Sequence, residues 1–272
     1  MTDLNLDMIA RDMQAAQDQA AQLPPFTGRF PDFDLPAAYA VARKVHETRI
    51  AKGARPVGRK IGFTNAQMWE TLGVREPMWG RMYEHTVERC PDGQASCSLG
   101  ALVQPRIEPE IIVHFHKAPP VTNDGERILA CIDWLASGFE IVQSHFPDWN
   151  FRAPDTIADG GLHGRLFIGP ERRVEDLGPD LPARLEAFSI ALSRNASLVE
   201  CGRGANVLGS PLRAVAHLIS VLATPPDAPP VAAGELVTTG TLTRAQPVLA
   251  GETWTSAIEG LPLPAMTLRF EA

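Results

Sequence analysis

The stretch "QPRIEPEIIVHFH", Gln104–His116, splits in two when every second residue is read. Ile107, Pro109, Ile111, Val113 and Phe115 form one set, and Glu108, Glu110, Ile112, His114 and His116 form the other. A β-strand sends alternate side chains to opposite faces, so the spacing predicts a strand with one apolar face and one face carrying two carboxylates and two imidazoles. Two carboxylates on one strand face repel unless a positive charge sits between them. A hard divalent cation with oxygen ligands meets that need. The competing reading is a solvent-facing edge with two solvated acids, which Pro109 favours because proline prefers strand edges and starts. A third acid tilts the balance. Glu140, in "GFEIVQSHF", is expected to start another strand, after one helix over "GERILACIDWLASG" that Gly138 stops. A strand–helix–strand unit would bring Glu108, Glu110 and Glu140 together from two neighbouring strands, a donor set suited to Mg²⁺ or Mn²⁺. The His114-x-His116 pattern also occurs at transition-metal sites, but these two are expected farther along the strand, half-buried and hydrogen-bonded.

Outward from this strand the chain changes texture. Residues 3–22 have Leu4, Met8, Ile9 and Met13 near helical spacing, and "LPPFTGRFPDFD" interrupts them. Asp34 is a natural N-cap for a second helix, with Pro36 in its first turn and Gly53 at its end. "HGRLFIG" and "FSIALSRNASLVECG" read as strands, and Ser210–Pro211 opens the helix "PLRAVAHLISVL". The loop "TPPDAPP" at 224–230 separates this helix from terminal strands. Helices first and then a β-rich body with a few packed helices is an α+β order. The expected division is a mainly helical region, residues 1–75, and a β-rich catalytic domain, residues 76–272.

The 272 residues are 44% hydrophobic, enough for a large core, and the formal charge is −7. With no basic run, nothing points to nucleic acid. The start lacks a signal-peptide pattern and no run of about 18 apolar residues occurs, so no membrane span is expected. The four cysteines form no CxxC, which fits a reducing compartment, and a cytoplasmic location is expected.

Two glycine-bearing segments and one lysine remain. "ECGRGANVLGSP" stands between a strand and a helix, but its spacing misses the dinucleotide fingerprint. "TTGTLT" at 238–243 is either a plain turn or a small anion pocket of backbone N–H groups and hydroxyls. "GRKIGFT" sets Lys60 between Gly58 and Gly62 on an apolar strand. If buried near a metal and an anion, such a lysine is expected to have a lowered pKa suited to proton transfer; otherwise it is a snorkelling surface group.

Taken in order, "GRKIGFT", "QPRIEPEI", "FEIVQSHFPDW", "DTIADGG", "GANVLGSPL" and "AGELVTTGTLT" resemble the 2-keto-4-pentenoate hydratase / 4-oxalocrotonate decarboxylase group of the fumarylacetoacetate hydrolase superfamily. The resemblance covers roughly residues 56–245. It implies a helical N-terminal part followed by a mixed β-barrel-like body. It also implies a divalent-metal-dependent lyase acting on a small 2-oxo or 2-hydroxy-dienoic acid by way of an enolate, with a homo-oligomeric assembly. A 2-oxo-acid decarboxylase, a C–C bond hydrolase and a non-catalytic metal-binding homologue are the alternatives. By the same resemblance Glu108, Glu110 and Glu140 hold the metal, and Lys60 acts as an acid/base or substrate-binding lysine. Thr239, Gly240 and Thr241 hold the substrate carboxylate, and Gln104 contributes to substrate binding. The group's "PDFG" is here Pro77-Met78-Trp79-Gly80, with Met78 in place of an aspartate. Its "ADNASS" is here Ala158–His163, with His163 in place of hydroxyls. His163 or His145 could serve as a base where a reaction needs one.

Overall fold

The computed structural model describes residues 4–66, 69, 76–224 and 228–272. The expected loop at 224–230 therefore lies partly outside the described residues. Two capped helices open the chain, with the short helix Phe26–Arg29 between them. The Asn5 side chain accepts from Met8 N–H at the start of Leu6–Gln19, and Asp34 accepts from Ala37 N–H at the start of Leu35–Ala51.

The body is β-rich, and its strands are β1 (Pro56–Gly62), β2 (Met78–Tyr83), β3 (Val87–Arg89), β4 (Gln94–Ser98), β5 (Arg106–Phe115), β6 (Ile132–Val142) and β7 (His163–Ile168). Then follow β8 (Arg172–Arg173), β9 (Ser189–Arg194), β10 (Ser197–Arg203), β11 (Leu236–Thr238), β12 (Gln246–Pro247), β13 (Thr253–Glu259) and β14 (Met266–Glu271). A mixed, curled sheet runs β2-β1-β11-β5-β6-β7-β3, with β12 also on β5 and β8 also on β6. A second sheet runs β10-β9-β13-β14-β4. The chain is α+β, a helical N-terminus with a mixed curled sheet. β1 falls within residues 1–75 yet lies inside the large sheet, hydrogen-bonded to β2 and β11.

One expectation fails at a point that matters for the site. The helix after β5 is only Gly125–Leu129, and β6 begins at Ile132, so Gly138 interrupts nothing. β5 and β6 pair antiparallel, and Glu140 sits deep within β6, directly opposite Glu108. The apolar run Ile132–Val142 is buried on both faces, and a strand so covered loses the alternation that marks it in sequence. Pro109 also lies in a central strand, not an edge. It is tolerated because β11 stops at Thr238 and β12 starts at Gln246. The turn between them faces Pro109, whose carbonyl accepts from Leu242 N–H while its missing donor is not needed for a ladder bond.

The two faces of the large sheet have different partners. Ile61, Val237, Ile111, Val113, Phe115 and Leu135 pack in one core with the helix Pro211–Leu222. Gly204–Leu222 has the length and mean hydropathy, 1.3, of a membrane span. In the fold it is a 3₁₀ turn and a 12-residue helix whose apolar side is buried in this core. Ile107, Phe139, Ile141 and Phe167 pack against Trp254, Met266, Leu268 and Phe270 of the second sheet. The opposite face carries Lys60, Glu108, Glu110 and Glu140, and the register puts Gly62, Gly80 and Gly138 on the same side. A side chain at Gly80 would collide with the Gly160 carbonyl, so the bare strand admits the turn Gly160–Leu162 over the sheet.

Candidate active site

Three strands, β1, β5 and β6, with β11 between the first two, place four charged side chains on this face. Lys60 on β1 is in register with Thr238 on β11, Thr238 with Ile112 on β5, and Glu108 on β5 with Glu140 on β6. The carboxylates of Glu108, Glu110 and Glu140 each offer an oxygen, and these oxygens lie within 4.8 Å of one another. Glu110 and Glu140 are fully buried and Glu108 is half-buried. Lys60 Nζ lies 3.0 Å from Glu140 Oε2 as an ion pair, and only 3% of its side chain is exposed. The strand reading of Lys60 as a surface group is thereby excluded.

The neighbouring turn fixes Glu110. Thr239 donates both its N–H and its hydroxyl to the Ile111 carbonyl, at 3.1 and 3.0 Å. Gly240 N–H then donates to Glu110 Oε2 at 2.7 Å. Gly240 has φ +97°, and a Cβ there would sit on Thr64 Oγ1, so this close approach needs glycine. Of the expected anion-holding turn, Thr239 and Gly240 thus spend their donors on the protein itself. Thr241 reaches the adjoining cavity while its hydroxyl donates to the Thr243 carbonyl.

His163 occupies the far side of Glu140. Its Nδ1 lies 2.8 Å from Glu140 Oε1 and its Nε2 lies 2.8 Å from Thr86 Oγ1. The Thr86 hydroxyl is close enough to donate to the Tyr83 carbonyl, at 2.9 Å, which leaves its oxygen free to accept from His163. His163 lines a crevice behind the carboxylates, not the cavity in front of them. His145 is buried and held by Asp159 at 2.8 and 3.0 Å, and it too is absent from the front cavity. His114 pairs with Asp133 at 2.6 Å and stacks on Trp134, and His116 is exposed. Gln104 is exposed, and its carbonyl accepts from the Trp149 indole, so its side chain is not part of the cavity wall.

The front cavity has a volume of about 400 Å³. Lys60, Glu108 and Thr241 stand on one part of its wall, and Phe63, Met78 and Phe151 make another part apolar. Met78 lies over Gly62 and Gly161, and Gly161 also receives the aliphatic stem of Lys60. Met78 stands out in the sequence as the residue in place of an aspartate, whereas Phe63 and Phe151 carry no site reading there. The one signal for Phe151 is the aromatic cluster of "SHFPDWNF", which follows the Glu140 strand. Thr86 carried no signal, because it acts only through a residue 77 positions away.

The electrostatics follow from burial and crowding. Burial pushes the Glu108 carboxyl up to about 7, aided by Glu140 and opposed by Lys60 and Arg106. Burial, with Glu140 and Glu108 close by, holds Glu110 well above the usual carboxylate range. Burial would raise Glu140 as well, but the Lys60 charge and the His163 contact bring it down to about 2. Lys60 itself is raised: burial opposes its charge, and the three carboxylates outweigh that cost. This direction belongs to the metal-free site; the lowering expected of Lys60 concerns a lysine beside a bound metal and an anion.

The donor set fits a divalent cation. Three hard oxygen ligands converge, and Glu110 Oε1 is buried with no hydrogen-bond partner among the described residues. A cation here would have to displace the protons that burial retains on Glu108 and Glu110. Mg²⁺ affinity is therefore expected to rise from about pH 6 to about pH 8, with proton release on binding. Calorimetry in two buffers of different ionisation enthalpy measures both; affinity independent of pH, with no proton released, would contradict the protonation pattern.

The sequence over residues 89–269 matches the family described as fumarylacetoacetate (FAA) hydrolase C-terminal. The chain belongs to the fumarylacetoacetate hydrolase family. Among its relatives is the 2-hydroxyhexa-2,4-dienoate hydratase of Comamonas testosteroni, 32% identical over 247 residues, or 89% of each chain. The 4-oxalocrotonate decarboxylase of Pseudomonas sp. (strain CF600) is 29% identical, covering 93% of this chain and 92% of that one. The solved structure of a 4-oxalocrotonate decarboxylase from Pseudomonas putida G7, complexed with magnesium and adipate, superposes with TM-score 0.88 at 26% identity. The match covers 98% of this chain and 99% of that one. The α+β reading with a barrel-like body, and the group named from the six motifs, agree with these likenesses.

Proposed function

We propose that this family member is a divalent-metal-dependent lyase, hydratase-like, for a small 2-oxo or 2-hydroxy-dienoic acid. The observation that carries the reading is the convergence of Glu108, Glu110 and Glu140 beside a buried Lys60 at the wall of one cavity. The magnesium of the decarboxylase structure and the hydratase and decarboxylase names of the relatives support it. Glu108, Glu110 and Glu140 would hold Mg²⁺ or Mn²⁺. When bound, the cation supplies Lewis-acid stabilisation for charge developing at the 2-oxo oxygen of the substrate.

The remaining work belongs to the chain. Lys60 moves a proton to or from the substrate's carbon framework, with Nζ held at the cavity by Glu140. Thr241 and Thr64, whose buried hydroxyl has no partner among the described residues, take the substrate carboxylate, with Thr239 and Gly240 shaping the turn behind them. Gln104 is assigned to the mouth of the cavity, through its carbonyl's hold on Trp149. His163 acts as a positioning residue for Glu140, fixed in turn by Thr86. The hydrolase alternative is disfavoured because neither His163 nor His145 faces the cavity.

The chain is further read as a cytoplasmic homo-oligomer. Four free cysteines, three of them buried, support the first part, and the exposed Leu198 and Leu249 support the second.

The test is turnover of 2-hydroxypenta-2,4-dienoate, a longer-tailed dienoate and 4-oxalocrotonate, each with Mg²⁺ and with chelator. Metal-dependent turnover of at least one is expected, and none in any of the three would overturn the reading. The five-carbon dienoate should be poor, because Met78 supplies no proton where an aspartate could. Loss of a positioned acid/base group costs about 10²–10⁴-fold. Met78→Asp is expected to raise its hydration rate, and efficient wild-type hydration would show that Met78 lies outside the chemistry.

A further inference from the structure

Behind the carboxylates, between the N-terminal helices and the seam from β2 to β7, lies a second crevice of about 310 Å³. Arg49, Arg81 and Arg165 line it, with His85 and His163. The charges around it do not balance. Arg59 on β1 and Arg81 on β2 are directly opposite each other in the sheet. Like charges in such a cross-strand pair destabilise it. Both guanidinium groups also approach the Trp79 ring, at 5.6 and 5.3 Å. One carboxylate serves the pair. Glu235 binds Arg59 at 3.1 and 3.2 Å, and Arg59 completes its bonds on the Pro229 and Pro230 carbonyls. Arg81, half-buried, has no hydrogen bond or ion pair among the described residues.

The acids at the crevice are already engaged. Asp18 is shared by Arg49 and Lys52, at 3.7 and 3.5 Å. Asp159 holds His145 and accepts from Gln17. Glu88 stands 3.6 Å from Arg165. The surplus positive charge is felt by the imidazoles nearby. Burial first, and then Arg81 and Arg59, press His46 down to about 4. Burial, and then Arg49, His163 and Arg165, lower His85. Arg81 feels Glu235 only at a distance, and an anion with two negative charges would add a direct partner while bonding in the planar fork that arginine offers.

We propose that this crevice is a second ligand site, for a small doubly charged oxyanion of the phosphate or sulfate type, held chiefly by Arg81 with Arg49 and Arg165. It is separate from the substrate cavity, since none of the three arginines lines that cavity.

The experiment is calorimetric titration of inorganic phosphate, and separately of sulfate, into the Mg²⁺-loaded protein at constant ionic strength. Wild type, Arg81→Met and Arg165→Met are compared. Charge-assisted hydrogen bonds contribute roughly 1.5–3 kcal/mol each, so about a tenfold or greater loss of affinity is expected in Arg81→Met. A smaller loss is expected in Arg165→Met, whose side chain is 40% exposed and therefore tolerant of change. Both anions should bind, because the site recognises charge and shape and not a metal. Equal phosphate affinity in all three proteins would place the anion at the metal and overturn the proposal. Absence of binding by either anion to the wild type would overturn it too. If Arg81→Met does not fold, the Arg165→Met comparison and phosphate-dependent thermal stabilisation of the wild type decide the matter.

Discussion

Lys60→Met, in the Mg²⁺-loaded protein, is expected to lose about 10²–10⁴-fold in turnover, the usual cost of removing a positioned acid/base group. Its metal affinity should not fall with it. The Lys60 ammonium competes for Glu140 Oε2, which it approaches at 3.0 Å, so its removal frees a ligand oxygen. The variant should bind Mg²⁺ as tightly as the wild type or more tightly, while catalysis collapses. Methionine fills the space of the aliphatic stem over Gly161, so the packing there is kept. Rate and metal affinity falling in parallel would assign Lys60 a structural part only. An unchanged rate on a confirmed substrate would reduce it to a counter-ion for the carboxylates.

The carboxylate substitutions should show the opposite division. Glu108→Gln, Glu110→Gln and Glu140→Gln are each expected to weaken Mg²⁺ binding by more than about 100-fold, above the 10–100-fold cost typical of losing an outer partner of a ligand. Glutamine keeps the shape and removes the charge. The Glu108 and Glu110 variants should fold, because burial and mutual repulsion already hold these two groups toward the neutral form, whereas Glu140→Gln takes the ion-pair partner from the buried Lys60 and is expected to be the least stable of the three. His163→Ala should fall in the outer-partner range, since His163 touches Glu140 from behind and leaves its other oxygen in place. Thr86→Val should act in the same direction through the lost bond to His163. Wild-type affinity in any two of the three glutamine variants would break the assignment of the cluster.

Much of this site was legible in sequence, for physical reasons that can be named. Period-two alternation put Glu108 and Glu110 on one face, and that survives because β5 is a regular strand. The caps at Asp34 and the Pro211 start were legible because capping is local chemistry. β6 was misread because Ile132–Val142 is covered on both faces, which erases periodicity and leaves an apolar run that also suits a helix. The raised pKa of Lys60 in the metal-free site was not legible for a related reason. Burial alone would lower it, and only the register of β1, β11, β5 and β6 shows three carboxylates against one ammonium. His163 stood out as a titratable residue in an unusual place, yet which wall it faces depends on the turn Gly160–Leu162 and on Thr86, neither of which has a pattern to read.

The central claim is that the three carboxylates and Lys60 form a metal-dependent site for 2-oxo acids. Titration of pyruvate into the wild-type protein, followed by calorimetry with saturating Mg²⁺ and again with chelator, tests it most directly. Pyruvate binding in the presence of Mg²⁺ that disappears with chelator, and that Glu110→Gln abolishes, is the predicted result. Binding of equal strength with and without metal, or none in either condition, would contradict the account.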